Sequence, residues 1–495
     1  MNKPLKIMLW GEEIGRLMWD NHRRTTYFTY NPSWARKGIN VSPLCAPINP
    51  ATLVMPIWAE QERIYQHLPA FLADSLPDAW GSQLFELWRQ HNDLQKADIT
   101  PLEKLAFIGK RGMGALEFEP ELSKSLSKDK IDIQSLVSLA QRIFMERENA
   151  KIEPAESLTL QSLIAVGTSA GGRQPKAILA IHHNTGEIRS GQIAGLKDYD
   201  YCILKFGDPQ YCSAELEMTY YEMATKAGIN MMPSCLREIE GRRHFQTLRF
   251  DRIGEEKIHT QTLAAINPEA NSYEELISTC RRLQLPDCDC IEVFRRMVFN
   301  HLANNTDDHN KNFAFTMDRH GRWRLSPAYD ITYIIDARGF QPNLEHCIYT
   351  CAKLRDITLH DVLQFAANNG IRNPERIIKD VVEAISQFRD IAQRNHVSPE
   401  WLGRVETCLR QHIAAWGFAD NIASYNFTTQ NGATVQNARL EQAYKGNIHL
   451  LAYINGAERK FIIRQNTDLR RILTATGLSR IGGERIRQLV ETHFT

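Results

Sequence analysis

The sequence lacks a long apolar run and lacks an excess of charge of either sign. No stretch approaches the roughly 20 apolar residues that a membrane-spanning helix needs. The apolar start of the chain breaks at Gly11, Glu12 and Glu13, too early for the core of a secretory signal. Lysine and arginine number 59 against 58 acidic residues, whereas a protein that coats nucleic acid usually carries a basic excess. These absences predict that this chain of 495 residues is cytoplasmic and has no membrane partner.

The ten cysteines also lack the spacing of a zinc site. Cys288 and Cys290 flank a single residue, and Cys347 lies four residues before Cys351. A structural zinc site usually takes two closely spaced ligand pairs of the CxxC type. Free thiols, as in a reducing compartment, are therefore the better interpretation.

The order of patterns along the chain predicts an α+β fold with the two lobes of a protein kinase. Residues 4–120 combine two strand-like runs, LKIMLW and TYFTYN, with a helical region that prolines interrupt. Short β-like runs and one amphipathic helix at 214–228 follow, and from about residue 273 the periodicity is helical. The predicted units are an N-terminal subdomain (1–123), a linker (124–156), an N-lobe-like region (157–265), a mostly helical C-lobe (266–418) and a small α+β extension of unassigned role (419–495).

The extension contains a hairpin candidate. Two β-rich runs lie on either side of Asn455 and Gly456, a dipeptide that suits a type I′ turn. Two short helices are predicted after it, over 468–477 and 482–494.

The segment NNTDDHNKNFAF, residues 304–315, carries the most specific chemical signal. Asp307 and Asn312 are five residues apart, as are the Asp and Asn of the protein-kinase catalytic loop. Phosphoryl transfer needs an acceptor for the substrate proton and a magnesium ligand beside it. Such residues also cluster in plain turns, but here an apolar helix precedes them and a β-like run follows. We therefore predict Asp307 as catalytic base, with its neighbour Asp308 as the competing candidate.

A second acidic position follows in WRLSPAYDITY, residues 323–333. Asp330 comes after a short strand-like run, as does the magnesium-binding Asp of kinases. Magnesium prefers oxygen ligands and usually takes one or two carboxylates from the protein. Asp330 and Asn312 are therefore the predicted metal ligands.

The segment VGTSAGGRQPKAILAI, residues 166–181, is rich in small residues and runs into a strand. Its backbone N–H groups can approach phosphates closely. The segment does not match the Walker pattern, and a Gly-rich turn taken by itself more often belongs to an ordinary hairpin. Its position before a lysine-bearing strand favours the phosphate-binding interpretation.

That lysine is Lys205, in YCILKFGD. A buried ammonium is costly unless a partner neutralises it, and in kinases the partners are ATP phosphates and a helix glutamate. An edge-strand lysine that points to solvent is the alternative. Among the glutamates of the next helix, Glu217 is the favoured partner over Glu215 and Glu222.

These segments resemble the HipA family of bacterial toxin kinases, and the resemblance runs from about residue 4 to about 418. The matching pieces are TSAGGRQPK (168–176), ILKF (203–206), HFQTLRFDR (244–252), NTDDHNKNFAF (305–315) and LSPAYD (325–330), with GEEIGRL (11–17), LADSLPDAWG (72–81) and LAFIGKRGMGALEFEP (105–120) in the N-terminal unit.

The resemblance implies a serine/threonine-protein kinase that uses ATP and Mg²⁺ and acts as the toxin of a toxin–antitoxin module. It implies inhibition of translation and growth, with an aminoacyl-tRNA synthetase as the expected target. The implied partner is a HipB-like helix-turn-helix antitoxin, through which operator DNA is mainly contacted. It also implies autophosphorylation of the Gly-rich loop at Ser169, with Thr168 as the alternative acceptor.

Residue by residue, the family's nucleotide contacts fall on the Gly-rich loop and its strand, on Lys205, on the hinge and on the catalytic segment. Two features depart from the family: Leu248 stands where some members carry an acidic residue, and the extension after residue 419 is additional. The implied nucleotide-binding residues are Ala170, Gly171, Gly172, Arg173, Gln174, Lys176, Lys205, Leu248, Arg249, Phe250, His309, Lys311, Asn312, Tyr329 and Asp330.

Two other functions stay open at the level of the sequence. A small-molecule or lipid kinase could use the same phosphoryl-transfer site, because one sequence does not define the acceptor. A non-catalytic co-repressor that holds an antitoxin on DNA is the second, although intact Asp307, Asn312 and Asp330 disfavour it.

Overall fold

The computed structural model describes residues 4–49, 62–92, 94–95, 99–122, 131–146, 154–167, 174–192, 195–334 and 345–418, and the backbone of four strands between 425 and 463. An antiparallel sheet opens the chain, with strand order β3-β2-β1-β4. Its side chains alternate as a half-buried sheet requires, since Leu5, Ile7 and Leu9 are fully buried and Lys6 is exposed. The strands are β1 (Leu5–Leu9), β2 (Glu12–Asp20), β3 (Thr25–Tyr30) and β4 (Leu116–Glu119).

Short helices cover this sheet and complete the N-terminal unit. Pro77 separates the third helix from the fourth, as the prolines of the sequence predicted. The fifth helix begins with a capping box in which Thr100 and Glu103 satisfy each other's backbone N–H groups. The helices are α1 (Pro32–Ala35), α2 (Glu62–Tyr65), α3 (Ala70–Ala73), α4 (Ala79–His91) and α5 (Pro101–Ile108).

Part of the predicted linker, 124–156, is a packed helix rather than a plain connection. Helix α6 (Ile133–Glu146) buries Leu136, Ala140 and Ile143, and the carbonyl of Ile143 accepts a 2.8 Å hydrogen bond from Gln83 of α4. The apolar side chains recur at helical spacing after a polar start, and that polar start was the basis of the linker prediction. Helix α7 (Ser157–Gly167) follows and leads to the Gly-rich segment.

An antiparallel five-stranded sheet forms the N-lobe-like region. Its order is β6-β5-β7-β9-β8, so that β7 lies at the centre and is hydrogen-bonded on both sides. Helix α8 (Ser213–Lys226) packs on this sheet and buries Leu216, Tyr220 and Met223. The strands are β5 (Lys176–His182), β6 (Ile188–Ser190), β7 (Tyr199–Lys205), β8 (Ser234–Ile239) and β9 (Arg242–Leu248).

The C-lobe is mostly helical, as predicted, around a core that includes Phe294, Phe365 and Val381. A three-stranded sheet and a short hairpin connect it to the N-lobe. Its helices are α9 (Leu263–Ile266), α10 (Tyr273–Arg282), α11 (Asp287–Leu302), α12 (Leu359–Asn368), α13 (Pro374–Ser386), α14 (Phe388–Arg394) and α15 (Pro399–Ala415), and its strands are β10 (Arg252–Ile253), β11 (Glu256–Lys257), β12 (His259–Thr262), β13 (Ala314–Met317) and β14 (Trp323–Leu325).

The extension contains a separate sheet, with order β15-β16-β17-β18. Ile454 pairs with Ala457 across the predicted hairpin, which confirms its two strands. Asn455, Gly456 and the two helices predicted after them lie outside the described residues. In the part of the chain that the structure describes, no helix is long and apolar enough to cross a membrane. The strands are β15 (Tyr425–Thr428), β16 (Thr434–Gln442), β17 (Ile448–Ile454) and β18 (Ala457–Ile463).

Candidate active site

Lys205 lies at the end of the central strand β7 and is 7% exposed. Because β7 has neighbours on both sides, the edge-strand alternative does not apply. The Nζ atom contacts the carboxylates of Glu217 on α8 and of Asp330 beyond β14. The partner that the sequence favoured, Glu217, is therefore in place, and the two carboxylates offset the cost of burying the ammonium.

The charges of this cluster stabilise one another. Burial alone would lower the pKa of Lys205, but the carboxylates of Asp330 and Glu217 outweigh it and raise that pKa above its ordinary value. Burial likewise acts to raise the pKa of Asp330, yet Lys205 and Lys176 outweigh it and lower that pKa to about 2. Lys176, opposite Lys205 in the β5–β7 register, has its pKa lowered mainly by burial. Asp330 is consequently ionised at neutral pH and can act as a metal ligand.

The backbone turns sharply where Asp330 projects from it. Asp330 has φ +54°, in the left-handed region that non-glycine residues seldom adopt. Just before it, the hydroxyl of Tyr329 donates a 2.7 Å hydrogen bond to the carbonyl of Lys311. The Tyr329 ring also packs against Phe250 of the hinge, with centroids 5.7 Å apart. Tyr329 therefore connects the hinge, the metal-ligand position and the catalytic segment.

The catalytic segment follows α11 as a loop that closes on itself. Asn312 ends a short 3-10 helix, and its Nδ2 atom donates a 2.7 Å hydrogen bond to the backbone carbonyl of Asp307. This bond leaves the Asn312 amide oxygen as the ligand atom that can face a cation. The side chain of Asp307 is 51% exposed, and His309 Nε2 lies 3.8 Å from its Oδ1.

The structure distinguishes the two adjacent aspartates. The side chain of Asp308 has no exposed surface. Its carboxylate accepts hydrogen bonds from Tyr273, from His346 and from the backbone N–H of Cys347. Of the two carboxylates only Asp307 is accessible from solvent, as its predicted role as catalytic base requires.

The N-terminal unit also contributes to this region, through residues to which the sequence gave no role. Asp78, at the first turn of α4, lies 3.6 Å from Nζ of Lys311. Asp74 accepts hydrogen bonds from the backbone and hydroxyl of Thr262, at 2.9 and 2.7 Å. Both aspartates belong to the LADSLPDAWG segment, whose resemblance to the family was the available signal.

Two hydrogen bonds hold the Gly-rich segment where it leads into β5. Trp80 Nε1 donates to the carbonyl of Lys176 at 3.2 Å, and Gln174 Nε2 donates to the carbonyl of Phe206 at 3.0 Å. The predicted contacts at Ala170, Gly171, Gly172 and Arg173, and the predicted phosphorylation positions Ser169 and Thr168, lie outside the described residues.

The three side chains of the predicted hinge, Leu248 to Phe250, are not equally buried. Leu248 and Phe250 are partly buried, whereas Arg249 is 3% exposed. The guanidinium of Arg249 donates to both carboxylate oxygens of Asp251, at 2.8 and 2.7 Å. The Arg249 side chain is therefore engaged in the interior, and its predicted contact with a nucleotide remains a prediction for its backbone.

The oxygen ligands present suit Mg²⁺. Among the described residues, no group of three or more His, Cys, Asp and Glu side chains is placed to hold a metal ion. Magnesium in phosphoryl-transfer sites instead takes one or two carboxylates together with phosphate oxygens. The ionised Asp330 and the amide oxygen of Asn312 match that preference.

Comparison with known proteins supports one family. The model of the HipA N-terminal domain matches residues 5–119, and the model of the HipA-like C-terminal domain matches residues 168–388. HipA of Shewanella oneidensis MR-1, solved with HipB and its operator DNA, covers 84% of this chain and 99% of its own. The identity is 18% and the TM-score is 0.60, so this likeness concerns the fold.

Two further proteins match a smaller part of the chain. The Sinorhizobium fredii protein named "Putative kinase Y4mE" is 21% identical over 224 residues, and the chain spans about half of its length (53%) and 39% of its own. The Helicobacter pylori proinflammatory kinase CtkA covers 49% of this chain and 92% of its own, with 11% identity and a TM-score of 0.34. With both halves of the described fold matched by models of one family, the chain belongs to the HipA family.

Proposed function

We propose that this chain is a protein serine/threonine kinase that uses ATP and Mg²⁺. One observation carries the proposal: the buried ammonium of Lys205 contacts the carboxylates of both Glu217 and Asp330, which come from different parts of the chain. Phosphoryl transfer depends mainly on positioning and on charge stabilisation, and these side chains supply both.

Each residue has a role that follows from its surroundings. The ammonium of Lys205, held by two carboxylates, would contact ATP phosphates. The half-exposed carboxylate of Asp307 would accept the proton of the acceptor hydroxyl. Asp330 and Asn312 would hold Mg²⁺, which neutralises developing charge on the phosphates when bound.

The proposed biological role is that of the toxin in a toxin–antitoxin module. The Shewanella oneidensis relative was solved with HipB and operator DNA, which supports a helix-turn-helix antitoxin as partner and DNA contact mainly through it. An aminoacyl-tRNA synthetase is the proposed protein target, and Ser169 is the proposed site of autophosphorylation. Phosphorylation of such a target would inhibit translation and growth.

The decisive experiment is phosphate transfer from radiolabelled ATP in the presence of Mg²⁺, with wild type beside Asp307→Asn. Removal of a general base costs about 10²- to 10⁴-fold in rate, so the variant should lose labelling of serine and threonine in the chain or in an added synthetase. Asp356→Asn is the matched control, because the Asp356 side chain is 93% exposed.

Mass spectrometry of the peptide 168–176 identifies the labelled residue, and expression of both proteins in cells tests growth arrest. Label on a lipid or small metabolite alone would replace the protein acceptor in the proposal. Equal absence of label from wild type and variant, on a sample that starts unphosphorylated, would favour a non-catalytic co-repressor.

A further inference from the structure

A buried polar network lies beneath the catalytic segment, on the opposite side of the loop from the exposed Asp307. At its centre, the carboxylate of Asp308 accepts hydrogen bonds from the Tyr273 hydroxyl at 2.8 Å, from His346 Nδ1 at 2.9 Å and from the Cys347 backbone N–H at 2.8 Å. A buried carboxylate is costly unless donors satisfy it. Three donors on one side chain indicate a site built to hold Asp308.

The network continues through a second histidine. His346 Nε2 lies 3.0 Å from His301 Nδ1, and His301 Nε2 lies 2.9 Å from the Thr350 hydroxyl. Burial, followed by the neighbouring His346 and His412, holds the pKa of His301 well below its ordinary value, so its imidazole is neutral. One arrangement satisfies every atom: Thr350 donates to His301, His301 donates to His346, and His346 donates to Asp308.

These bonds join three segments that are distant in sequence. His301 lies in the last turn of α11, Asp308 lies in the catalytic segment, and His346 to Thr350 follow the Asp330 region. The third segment is also fixed to the start of α10, since Tyr273 N–H donates to the Tyr349 carbonyl at 2.9 Å. It passes beside the catalytic base, with Cys347 Sγ 3.9 Å from Asp307 Oδ1.

We propose that Asp308 and His346 are positioning residues, which fix the catalytic segment against residues 346–350 and so direct the adjacent Asp307 towards the acceptor hydroxyl. This inference rests on the proposed kinase function. It predicts an effect on the chemical step and none on ATP binding, because Lys205 and Asp330 lie outside the network.

Three substitutions of His346 separate its two hydrogen bonds. His346→Asn keeps an amide donor where Nδ1 contacts Asp308, His346→Gln keeps a polar group near Nε2, and His346→Leu keeps neither. Misplacing a reacting group by an ångström can cost about 10²-fold. We expect kcat to fall roughly 10- to 100-fold in the Leu and Gln variants, with KM for ATP unchanged, and His346→Asn to recover most of the rate.

His183→Leu is the matched control. His183 also pairs with an aspartate, at 3.0 Å from Asp200, but both side chains are about half exposed (47% and 56%). This variant should retain the wild-type kcat. Equal losses in the Asn, Gln and Leu variants of His346, or a rise in KM for ATP that accounts for the loss, would overturn the positioning role.

Amide hydrogen exchange tests the inference without any catalysis. In His346→Leu, peptides covering 304–313 and 345–353 should exchange faster together, while peptides around Lys205 keep the wild-type rate. Unchanged exchange in both peptides would refute the proposal that the network fixes the catalytic segment against residues 346–350. A third outcome separates the two proposals. If both peptides exchange faster in His346→Leu but the wild type transfers no phosphate, the network fixes the segment as proposed and the kinase function is refuted.

Discussion

Lys205 shares its charge between two carboxylates that come from different parts of the chain. Glu217 is 4% exposed, on the face of α8 that packs on the sheet. Because Glu217 also contacts the ammonium, Lys205 does not pair with Asp330 alone. The surroundings of Asp330, the proposed metal ligand, therefore depend on a helix that contributes no proposed ligand.

Glu217→Gln tests this dependence. The variant keeps the shape of the side chain and removes its charge, so Lys205 should be drawn to Asp330. Loss of a charged hydrogen bond is worth about 1.5–3 kcal/mol, and we expect kcat/KM for ATP to fall by about 10- to 100-fold in steady-state kinetics.

Glu222→Gln is the control on the same helix. Glu222 points away from the site and pairs with Arg394 and Asn395, each at 2.8 Å. Its substitution should leave kcat/KM at the wild-type value. If both glutamates prove equally sensitive, the effect belongs to the helix and not to the Lys205 pair.

The individual site residues could be predicted where the partners are close in sequence. Lys205 and Glu217 are separated by one strand end and one helix turn, and Asp307 and Asn312 by one loop. The roles of Asp308 and Asp78 could not be predicted, because each depends on a partner brought near by tertiary packing. The spacing to Asn312 favoured Asp307 over Asp308, but it gave no sign of the buried partners that Asp308 contacts.

At the scale of elements, a buried ion cluster fastens the hinge to the N-terminal unit. Asp251 lies between Arg249 and Arg252 and accepts a 2.6 Å hydrogen bond from the N–H of Gly114, while Arg252 donates to the carbonyls of Gly112 and Gly114. The loop between α5 and β4 is thereby fixed to the strand that follows β9.

Asp251→Asn should destabilise the protein in a pH-dependent way. Burial acts to raise the pKa of Asp251, but Arg249 and Arg252 outweigh it and hold that pKa well below its ordinary value. A lowered folded-state pKa contributes stability above the unfolded value of about 3.9, and this stability is lost as pH falls through that value towards the folded one. We expect a loss of about 3–5 kcal/mol at neutral pH.

Urea unfolding at about pH 7 and about pH 3 measures this difference. The difference in free energy of unfolding between wild type and variant should be smaller at about pH 3, because the wild type loses the stability that ionised Asp251 contributes. The exposed Asp356→Asn should follow the wild type at both pH values. If the difference in free energy of unfolding is the same at both pH values, the destabilisation of Asp251→Asn comes from packing and not from the lost charge.

Two helical glycines give a second prediction at this scale. A Cβ atom at Gly167, the last residue of α7, would lie 2.5 Å from Leu84 Cδ1 and 3.2 Å from Trp80 Nε1, both on α4. Gly167→Ala should therefore destabilise the protein by about 1–3 kcal/mol through overpacking.

Gly403→Ala supplies the contrast, because nothing lies within 4 Å of a Cβ atom at Gly403 on α15. Alanine is the better helix former by about 1 kcal/mol, so this variant should be as stable as the wild type or more stable. Thermal unfolding of both variants measures the difference. A neutral Gly167→Ala would mean that α4 and α7 can separate without cost.

Most elements could be predicted from periodicity, and the exceptions have physical reasons. Helices α8 and α13 each have one buried face, and β5 is an apolar run that is buried along most of its length, so all three patterns are visible in the sequence. Two elements lack a clear pattern: the stretch that leads into α6 is polar, and β2 has charged residues at exposed positions and a buried glycine, Gly15, in its interior.

At the scale of the whole molecule, the N-terminal unit contacts three of the segments that carry predicted site residues. It reaches the Gly-rich segment through Trp80, the hinge through Gly114, and the catalytic segment through Asp78. The order of the lobes could be predicted from the sequence. Their mutual contacts could not, because they join residues far apart along the chain.

The four strands of the C-terminal extension are hydrogen-bonded to one another and form a sheet of their own. The last helix of the C-lobe is fixed before the extension begins, because Trp416 Nε1 donates a 2.8 Å hydrogen bond to the carbonyl of Ile357. A chain that ends at Phe418 should bind ATP and transfer phosphate at the wild-type rate, as measured by nucleotide titration and radiolabel transfer. A folded truncated protein without transfer would make the extension part of the active site.

The long separation of Lys205 from Asp330 also has a consequence for synthesis. The two residues that meet in the site are 125 positions apart. At a translation rate of roughly 5–20 residues per second, about 6 to 25 seconds pass between their additions to the chain. Throughout that interval the nascent protein has the lysine without its second carboxylate. The cluster of Lys205, Glu217 and Asp330 can therefore form only after part of the helical lobe has been made.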